Sequence, residues 1–404
     1  AQRVPEFIDT CEYDQLVHLC DGVDAVFIDA GHLLGSASIR LTLTEGGQTK
    51  TIVFSGDIGN VDQPIIRDPQ FFTGADYVVM ESTYGDRNHT EVWSYTGQLA
   101  QIIDETLGKG GNVVIPSFAV GRTQELLYFI REIKDQGLVT SVPNFPVYVD
   151  SPMAVEATGI FQENRYECFD DEAMEYVKEG INPIAFSGLK LSITSEESKA
   201  INFDETPKVI ISASGMCDAG RIRHHLKHNL WREECTILFV GYQSVGTLGR
   251  ALVEGADEVK LFGETIQVRA QIRKLAGLSG HADKEGLIEW IQAFEEKPKK
   301  VFVVHGEDSA CTAFTECLKI EYGQRAYAPY SGTEFDLISN KFTYEAAPVA
   351  VKKKTKPVTG VFERLLASAR RLLALVTKSE GVMTNKDMAK FADQINSLCD
   401  KWEI

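Results

Sequence analysis

The chain has 404 residues, 44% of them hydrophobic, with 58 acidic against 41 basic side chains and a formal net charge of −17. That length holds two domains or one large discontinuous one with ample core, while the negative charge argues against indiscriminate nucleic-acid binding over the whole surface and leaves room only for a local basic groove. No run approaches a membrane span and no apolar N-terminal signal segment is visible, so the expectation is a soluble, cytoplasmic protein without membrane contact.

Eight cysteines (Cys11, Cys20, Cys168, Cys217, Cys235, Cys311, Cys317, Cys399) are scattered without a Cys-x-x-Cys pair. Reduced, mostly buried thiols are expected, rather than a disulfide frame or a thiolate zinc site. The sequence opens at Ala1 in a polar stretch with no initiator Met, which raises the expectation of a preceding N-terminal portion.

Residues 1–20 read as a loop and a short helix, and Ala25–Ile28 as a strand delivering the chain to His32 in Gly31-His32-Leu33-Leu34-Gly35-Ser36. Ser38–Thr44 alternates, Glu45-Gly46-Gly47-Gln48 turns, and Thr49–Ser55 returns, a β-hairpin ending at Asp57. The β-branched Thr51-Ile52-Val53 stops at Ser55-Gly56-Asp57, placing a carboxylate at a strand end beside backbone free to turn. Asp76–Met80 is a further strand and delivers a second carboxylate, Glu81, in Glu81-Ser82-Thr83-Tyr84-Gly85.

From about residue 90 helical and strand signals alternate. The spacing predicts helices near 96–107, 123–135, 152–163, 170–179 and 219–229, and strands at Asn112–Ile115, Pro146–Val149, Val209–Ser212 and Thr236–Val240. Strands apolar on both faces alternating with helices imply a parallel sheet covered by helices, an α/β domain inserted into the first. Short strand signals return around Val259–Ala270, a helix with Leu287, Ile288, Ile291 and Phe294 at helical spacing follows His281, and the strand Val301–Val304 precedes His305.

Those boundaries divide the chain into a first domain over 1–89, an insertion over 90–262, a resumption of the first domain over 263–345 and a tail over 346–404. In the tail Ala346–Thr359, with Lys352-Lys353-Lys354, reads as a linker. Two amphipathic helices follow, marked by Phe362, Leu365, Leu366, Ala369, Leu372, Leu373 and Val376, then by Met388, Phe391, Ile395, Leu398 and Trp402. Their apolar faces either pack on the rest of the chain or join copies into a homo-oligomer, and the pattern leaves both open.

One carboxylate and three histidines thus share a local setting, next to glycine at the edge of an apolar run: Asp57, His32, His281 in Ser279-Gly280-His281-Ala282-Asp283, and His305 in Val303-Val304-His305-Gly306-Glu307. Zinc takes nitrogen from neutral imidazole and oxygen from carboxylate. Two zinc ions about 3.5–4 Å apart can share a hydroxide and a bridging carboxylate, making a nucleophile at neutral pH. In this reading Asp57 bridges, His32 ligates one ion and His305 the other. Glu81 and His281 remain beside them, with His281 donating a proton to the leaving oxygen and Glu81 orienting it. Three ligands are too few for two zinc ions.

His32 in GHLLGS, Asp57 in SGDIG, Glu81 in ESTYG, His281 in SGHAD and His305 in VVHGE come in that order around a long α/β insertion. The set resembles the metallo-β-lactamase-fold nucleases of the β-CASP branch, which include the endonuclease subunit of the cleavage and polyadenylation specificity factor, ribonuclease J and bacterial RNA-metabolising hydrolases. The likeness runs from Gly31 to about Gly332, and PSFAVGRTQELL, DSPMA, SASGMC and VGYQSVGTLGR look closest to the bacterial members.

The resemblance implies a partial metallo-β-lactamase αββα fold carrying an inserted β-CASP domain, and a zinc-dependent ribonuclease with two zinc ions. It makes His32, Asp57 and His305 the metal ligands, Asp57 bridging, and assigns Glu81, His281 and Asp57 to catalysis, with His281 the general acid. A histidine at position 305 resembles the RNA-processing members rather than the DNA-repair ones, so RNA, single-stranded by preference, is the expected substrate and a DNA nuclease of the same branch the rival. The family's His-x-His-x-Asp-His is absent from this sequence, expected to lie before Ala1 if the chain is a fragment. As given, the chain should hold zinc weakly and cut little, and a catalytically silent RNA-binding or scaffold subunit remains the rival of another class.

For the substrate, Ser212–Gly220 leads from a strand into a helix whose free N–H groups suit a phosphate, with Ser214 and Gly215 in the turn and Arg221, Arg223, His224, Lys227 and His228 following. Arg122, after Gly121 at the start of another helix, is a second candidate; a solvated helix face is the plain alternative for each. Gly108-Lys109-Gly110-Gly111 lacks the preceding strand and the Gly-Lys-Ser/Thr end of a nucleotide loop and reads as a turn.

Overall fold

A computed structural model describes residues 4–89, 94–275, 279–349, 359–378 and 383–402. They fall into two units, Ala1–Ala346 and Ala347–Ile404.

After a short 3-10 turn (Val4–Phe7), the first unit runs as an antiparallel meander through β1 (Leu16–Cys20), β2 (Val23–Asp29), β3 (Ala37–Glu45) and β4 (Gln48–Phe54). The hairpin closes as its alternation predicts, Glu45 opposite Gln48. Leu16–Cys20 is a correction, since residues 1–20 read as a loop and a short helix with no strand among them. It pairs antiparallel with β2 at the sheet edge and is exposed at four of its five residues, so no buried face imposes a two-residue period on it. Next, β5 (Tyr77–Met80) lies parallel to β4.

The chain then builds a second layer through α1 (Tyr95–Gly108), β6 (Val113–Pro116), α2 (Arg122–Asp135), β7 (Val147–Asp150), α3 (Pro152–Glu163), α4 (Arg165–Cys168), α5 (Asp171–Lys178), β8 (Leu189–Ser192), α6 (Ser195–Phe203), β9 (Val209–Ser212), α7 (Ile222–Asn229), β10 (Thr236–Phe239) and α8 (Leu248–Val253). Serine and aspartate caps start these helices where polar loops meet apolar runs: Ser94, Ser151 with Pro152 behind it, and Asp170 each accept a backbone N–H of the first turn. Strands β6, β9 and β10 are buried at every residue, as central strands of a covered parallel sheet must be. Gly108–Gly111 is the turn between α1 and β6, with Gly110 at φ +80°.

Two short strands, β11 (Glu258–Leu261) and β12 (Glu264–Gln267), form a hairpin, and β13 (Gln271–Lys274) returns parallel to β10. The six-stranded sheet has the order β13-β10-β6-β9-β7-β8. The inserted layer therefore extends to Lys274 rather than ending at 262, because the short strand signals that suggested a return to the first domain belong to a hairpin and an edge strand of the insertion.

The first domain resumes with α9 (Lys284–Gln292), β14 (Lys300–Val303), α10 (Asp308–Ile320) and β15 (Ala326–Tyr327), and ends in the hairpin β16 (Glu334–Asp336) and β17 (Lys341–Tyr344). It completes a seven-stranded sheet, β1-β2-β3-β4-β5-β14-β15. Trp290 of α9 and Phe314 of α10 are fully buried in one cluster with Val53, Val78, Met80 and Val303, which clamps the parallel strands from the helix side.

The eight cysteines are free; Cys11, Cys20 and Cys399 are exposed, against the expectation of mostly buried thiols. In the second unit α11 (Thr359–Lys378) and α12 (Asn385–Trp402) form where the apolar spacing placed them. Most of the expected linker, residues 350–358, lies outside the described residues. No helix among the described residues is long and apolar enough to cross a membrane.

Candidate active site

Three neighbouring parallel strands end side by side. Phe54 of β4 is opposite Val79 of β5, and Val303 of β14 is opposite Met80, so the residues that follow each strand, Asp57, Glu81 and His305, emerge along one edge. His305 holds φ +48°, in the left-handed region that costs a non-glycine residue about 1–3 kcal/mol. Its carbonyl accepts the Ser82 N–H (3.2 Å), which fixes the turn to the end of β5.

His32 stands in a tight loop after β2, where Ser36 Oγ accepts the N–H groups of His32 and Leu33, both at 3.1 Å. Gly59 lies so close to this loop that a Cβ would sit 1.9 Å from the Gly31 carbonyl oxygen. His281 is clipped to the same place. Asn60 N–H donates to Gly280 (3.2 Å) and Ala282 N–H to Ile58 (2.8 Å), so the segment before α9 runs beside the one after Asp57.

His32 Nδ1 donates to the Gly280 carbonyl at 2.7 Å, so Nε2 keeps its lone pair, and it faces Asp57 Oδ2 at 3.9 Å. Burial holds the His32 imidazole below its usual pKa, in the neutral form a metal needs; the bond to Gly280 opposes this and does not prevail. The other oxygen of Asp57, Oδ1, lies 3.3 Å from His305 Nε2. Asp57 is thus flanked by an imidazole on each oxygen.

Glu81 is 1% exposed, and its Oε1 accepts both the Ile58 N–H (2.7 Å) and His281 Nδ1 (3.0 Å), while Oε2 accepts the Thr83 N–H (3.2 Å). Burial pushes its carboxyl up, yet the bond and charge of His281 with the backbone donors hold it below the usual range, ionised. For His281 burial works against the charged ring, and the bond to Glu81 with the charges of Glu81 and Asp57 outweighs it, raising the imidazole above its usual pKa. The His32 and His281 rings are tilted at 4.4 Å, and His281 and His305 at 6.2 Å, between centroids.

These residues fit a metal. Two ligands on a tetrahedral ion about 2.1 Å away are themselves ~3.4 Å apart, close to both separations around Asp57. Donor atoms of His32, Asp57 and His281 also lie within 4.8 Å of one another. His281 spends Nδ1 on Glu81 and keeps Nε2, as His32 does, and His305 Nε2 stands on the other oxygen of Asp57, so these four side chains present the donor atoms that an ion could take.

One residue outside the sequence reading supports the cluster: His89 Nε2 donates to the His281 carbonyl (2.9 Å), and its backbone N–H to Asp283 (3.1 Å). Nothing in the polar segment around it signals this.

Two of these side chains, His32 and His281, line a cleft of ≈ 610 Å³ whose walls come from both sheets, with Tyr84 beside them and Phe118, Arg122, Gly215 and Tyr242 opposite. Of the expected substrate contacts, Arg122 and Gly215 line it, and the Arg122 guanidinium is paired with Glu125. Ser214 and Arg221 are not among the lining residues. The turn before α7 closes on itself through Ser214 N–H to Ala219 (3.2 Å) and Ile222 N–H to Ala213 (3.2 Å), delaying the helix to Ile222 and consuming donors expected to be free.

Arg221 turns instead to Asp150 (2.7 Å) and to the Ile193 carbonyl (2.6 Å). Its neighbours on α7 are engaged as well: Lys227 with Glu264 (2.6 Å), and Arg223 over the Phe262 ring at 4.8 Å. The basic run is thus largely structural. At its centre is His225, absent from the sequence reading and fully buried, with Nε2 2.6 Å from Asp150 Oδ2 and Nδ1 2.9 Å from Asn202 Oδ1.

Burial alone would raise the Asp150 carboxyl, but His225, Ser198 and Ser192 bring it down to about 2. A folded-state pKa below the unfolded value near 3.9 contributes stability that is present above about pH 4 and is lost as pH falls toward 2. In acid unfolding followed by circular dichroism, the protein should lose about 2 kcal/mol across that window through this group. Asp150→Asn should remove that increment; a variant with the same slope as the parent would assign the acid sensitivity elsewhere.

Two family models match the chain, the Beta-Casp domain over residues 123–252 and the Zn-dependent metallo-hydrolase RNA specificity domain over 265–329. Among curated proteins, ribonuclease TTHA0252 of Thermus thermophilus is 36% identical over 310 residues, 76% of this chain and 68% of that protein. The RNase J-like protein of Methanocaldococcus jannaschii is 31% identical over 335 residues, covering 82% and 75%. The transcription termination factor FttA of the same organism is 35% identical over 311 residues, where the chain spans about half (48%) of the relative's length.

Proposed function

The chain belongs to the β-CASP ribonuclease family of metallo-β-lactamase-fold hydrolases, and on that premise we propose that it hydrolyses phosphodiester bonds of RNA, single strands by preference, with two zinc ions held around Asp57. The observation that carries this reading is the carboxylate of Asp57 with His32 on one oxygen and His305 on the other. Bound there, zinc supplies Lewis acidity and a nucleophile at neutral pH.

The protein's own groups do the rest. His32 presents Nε2 because Gly280 holds Nδ1. Glu81, anchored by the backbone of Ile58 and Thr83, holds His281 by Nδ1 and leaves Nε2 as the ring atom that hands a proton to the leaving oxygen. RNA lies in the cleft between the two sheets and meets His32 and His281 along its wall.

The sequence contains no His-x-His-x-Asp-His, and a four-coordinate ion wants more ligands than Asp57 and one imidazole provide. Weak zinc binding by these 404 residues alone is therefore the expectation. The test is elemental analysis paired with cleavage of a labelled single-stranded RNA, on this chain and on the protein as its source cell makes it. Two zinc ions with cleavage in the cellular protein support the reading. RNA binding without zinc or cleavage in either would make the protein a silent RNA-binding or scaffold subunit.

A further inference from the structure

Two large aromatic rings stand half bare in the cleft. Phe118 is 50% exposed and Tyr242 46%, and both line the same cleft as His32 and His281. The same device delivers them. β6 and β10 are adjacent and parallel, Phe118 follows the end of one and Tyr242 the end of the other, and the carboxyl ends of parallel strands are where such sheets open a binding crevice.

Neither ring is loose. Gly215 backs Phe118 so closely that a Cβ there would lie 3.1 Å from the ring's Cδ2 and Cε2, and the Phe118 carbonyl accepts Thr123 Oγ1 at 2.6 Å. The Tyr242 hydroxyl donates to Glu307 Oε1 at 3.1 Å, which tethers the ring at its polar end while the side chain stays 46% exposed. Tyr84, the other aromatic of the cleft, is already covered by the Arg87 guanidinium and the His89 ring, each at 4.6 Å. Around Phe118 and Tyr242 the wall is apolar, with Val120 and Met153 also exposed.

A ligand that places a phosphodiester at the histidines brings the neighbouring nucleotide against this wall. A base within a duplex has both faces stacked and cannot use bare rings; an unpaired base can. Resting on the RNA-hydrolase reading above, we propose that Phe118 and Tyr242 form a base-stacking subsite that selects an unpaired nucleotide next to the bond to be cut.

The test is binding without cleavage: fluorescence anisotropy of a short single-stranded RNA in the presence of EDTA, repeated with the same RNA carrying one abasic nucleotide at successive positions. Phe118→Ala and Tyr242→Ala should each weaken binding by roughly 5- to 150-fold, the range of one base on one aromatic side chain. Phe118→Trp and Tyr242→Phe, which keep the ring, should stay within about threefold of the parent, since the stacking surface is retained. At one position the abasic RNA should bind the parent more weakly and Phe118→Ala no more weakly than the intact RNA does.

Alanine variants that bind like the parent would overturn the subsite alone, as would equal loss on abasic substitution in parent and variant. So would self-association of the parent that the alanine variants lose, since a second copy of the chain would then be the occupant. A parent that binds no RNA at all would overturn the RNA reading, and the subsite with it.

Discussion

His281→Ala is expected to slow RNA cleavage by roughly 10²- to 10⁴-fold, the usual contribution of a placed general acid, while RNA affinity stays within a few-fold. The ring is held by one bond, Nδ1 to Glu81 at 3.0 Å, and Glu81 is itself held by Ile58 and Thr83. Removing the imidazole leaves the Glu81 carboxylate buried without its cationic partner, so a loss of rate could come from local collapse. A substrate that does not need the acid separates the two. With sulfur in the bridging position as the leaving atom, the group departs as a stable thiolate, and the variant should approach the parent's rate in single-turnover assays. Equal defects on the oxygen and sulfur substrates would remove His281 from the proton transfer.

What the sequence disclosed follows from the kind of constraint each residue is under. Asp57, Glu81 and His305 were legible because a β-branched run that stops at a polar residue beside glycine marks a strand end, and the structure places those three ends on β4, β5 and β14 side by side. His281 was legible from its glycine and the capping Asp283, whose Oδ1 accepts Gly286 N–H at 3.0 Å. The sequence was silent where a side chain's partner is distant along the chain. Arg221 reads as a phosphate ligand until Asp150, 71 residues away, is seen at 2.7 Å. His225 on the same helix shows no local sign that it is buried against that carboxylate. The edge elements were also silent: β1 exposes four of its five residues and β8 two of its four, and α6 buries only Ser198 and Ile201, so none carries a strong apolar period. The insertion's late boundary has the same cause, because a four-residue edge strand looks alike whichever sheet accepts it.

Asp57→Asn should cost more metal than any other single change at the site. The two oxygens of Asp57 face two different imidazoles, His32 Nε2 at 3.9 Å and His305 Nε2 at 3.3 Å. An amide of nearly the same shape replaces one of those oxygens by an N–H₂ that cannot accept, and it removes the negative charge that offsets the cations. Changes to groups that merely orient a ligand cost metal sites about 10- to 100-fold in affinity, so, if Asp57 bridges two ions as proposed, its loss should exceed that range and cleavage should fall with it. His32→Ala and His305→Ala each take away a ligand on one side of Asp57 and are expected to leave part of the bound zinc. The fold should not suffer, because the Asp57 side chain is 39% exposed and surface substitutions away from the core usually stay within about 0.5 kcal/mol. Zinc content by elemental analysis with a thermal melt, on each variant made in the protein as its source cell produces it, reads both quantities. An Asp57→Asn variant that unfolds like the parent and carries no zinc fits a bridging carboxylate. Retention of zinc equal to that of the histidine variants would place the bridge elsewhere, leaving Asp57 as a ligand to one ion at most.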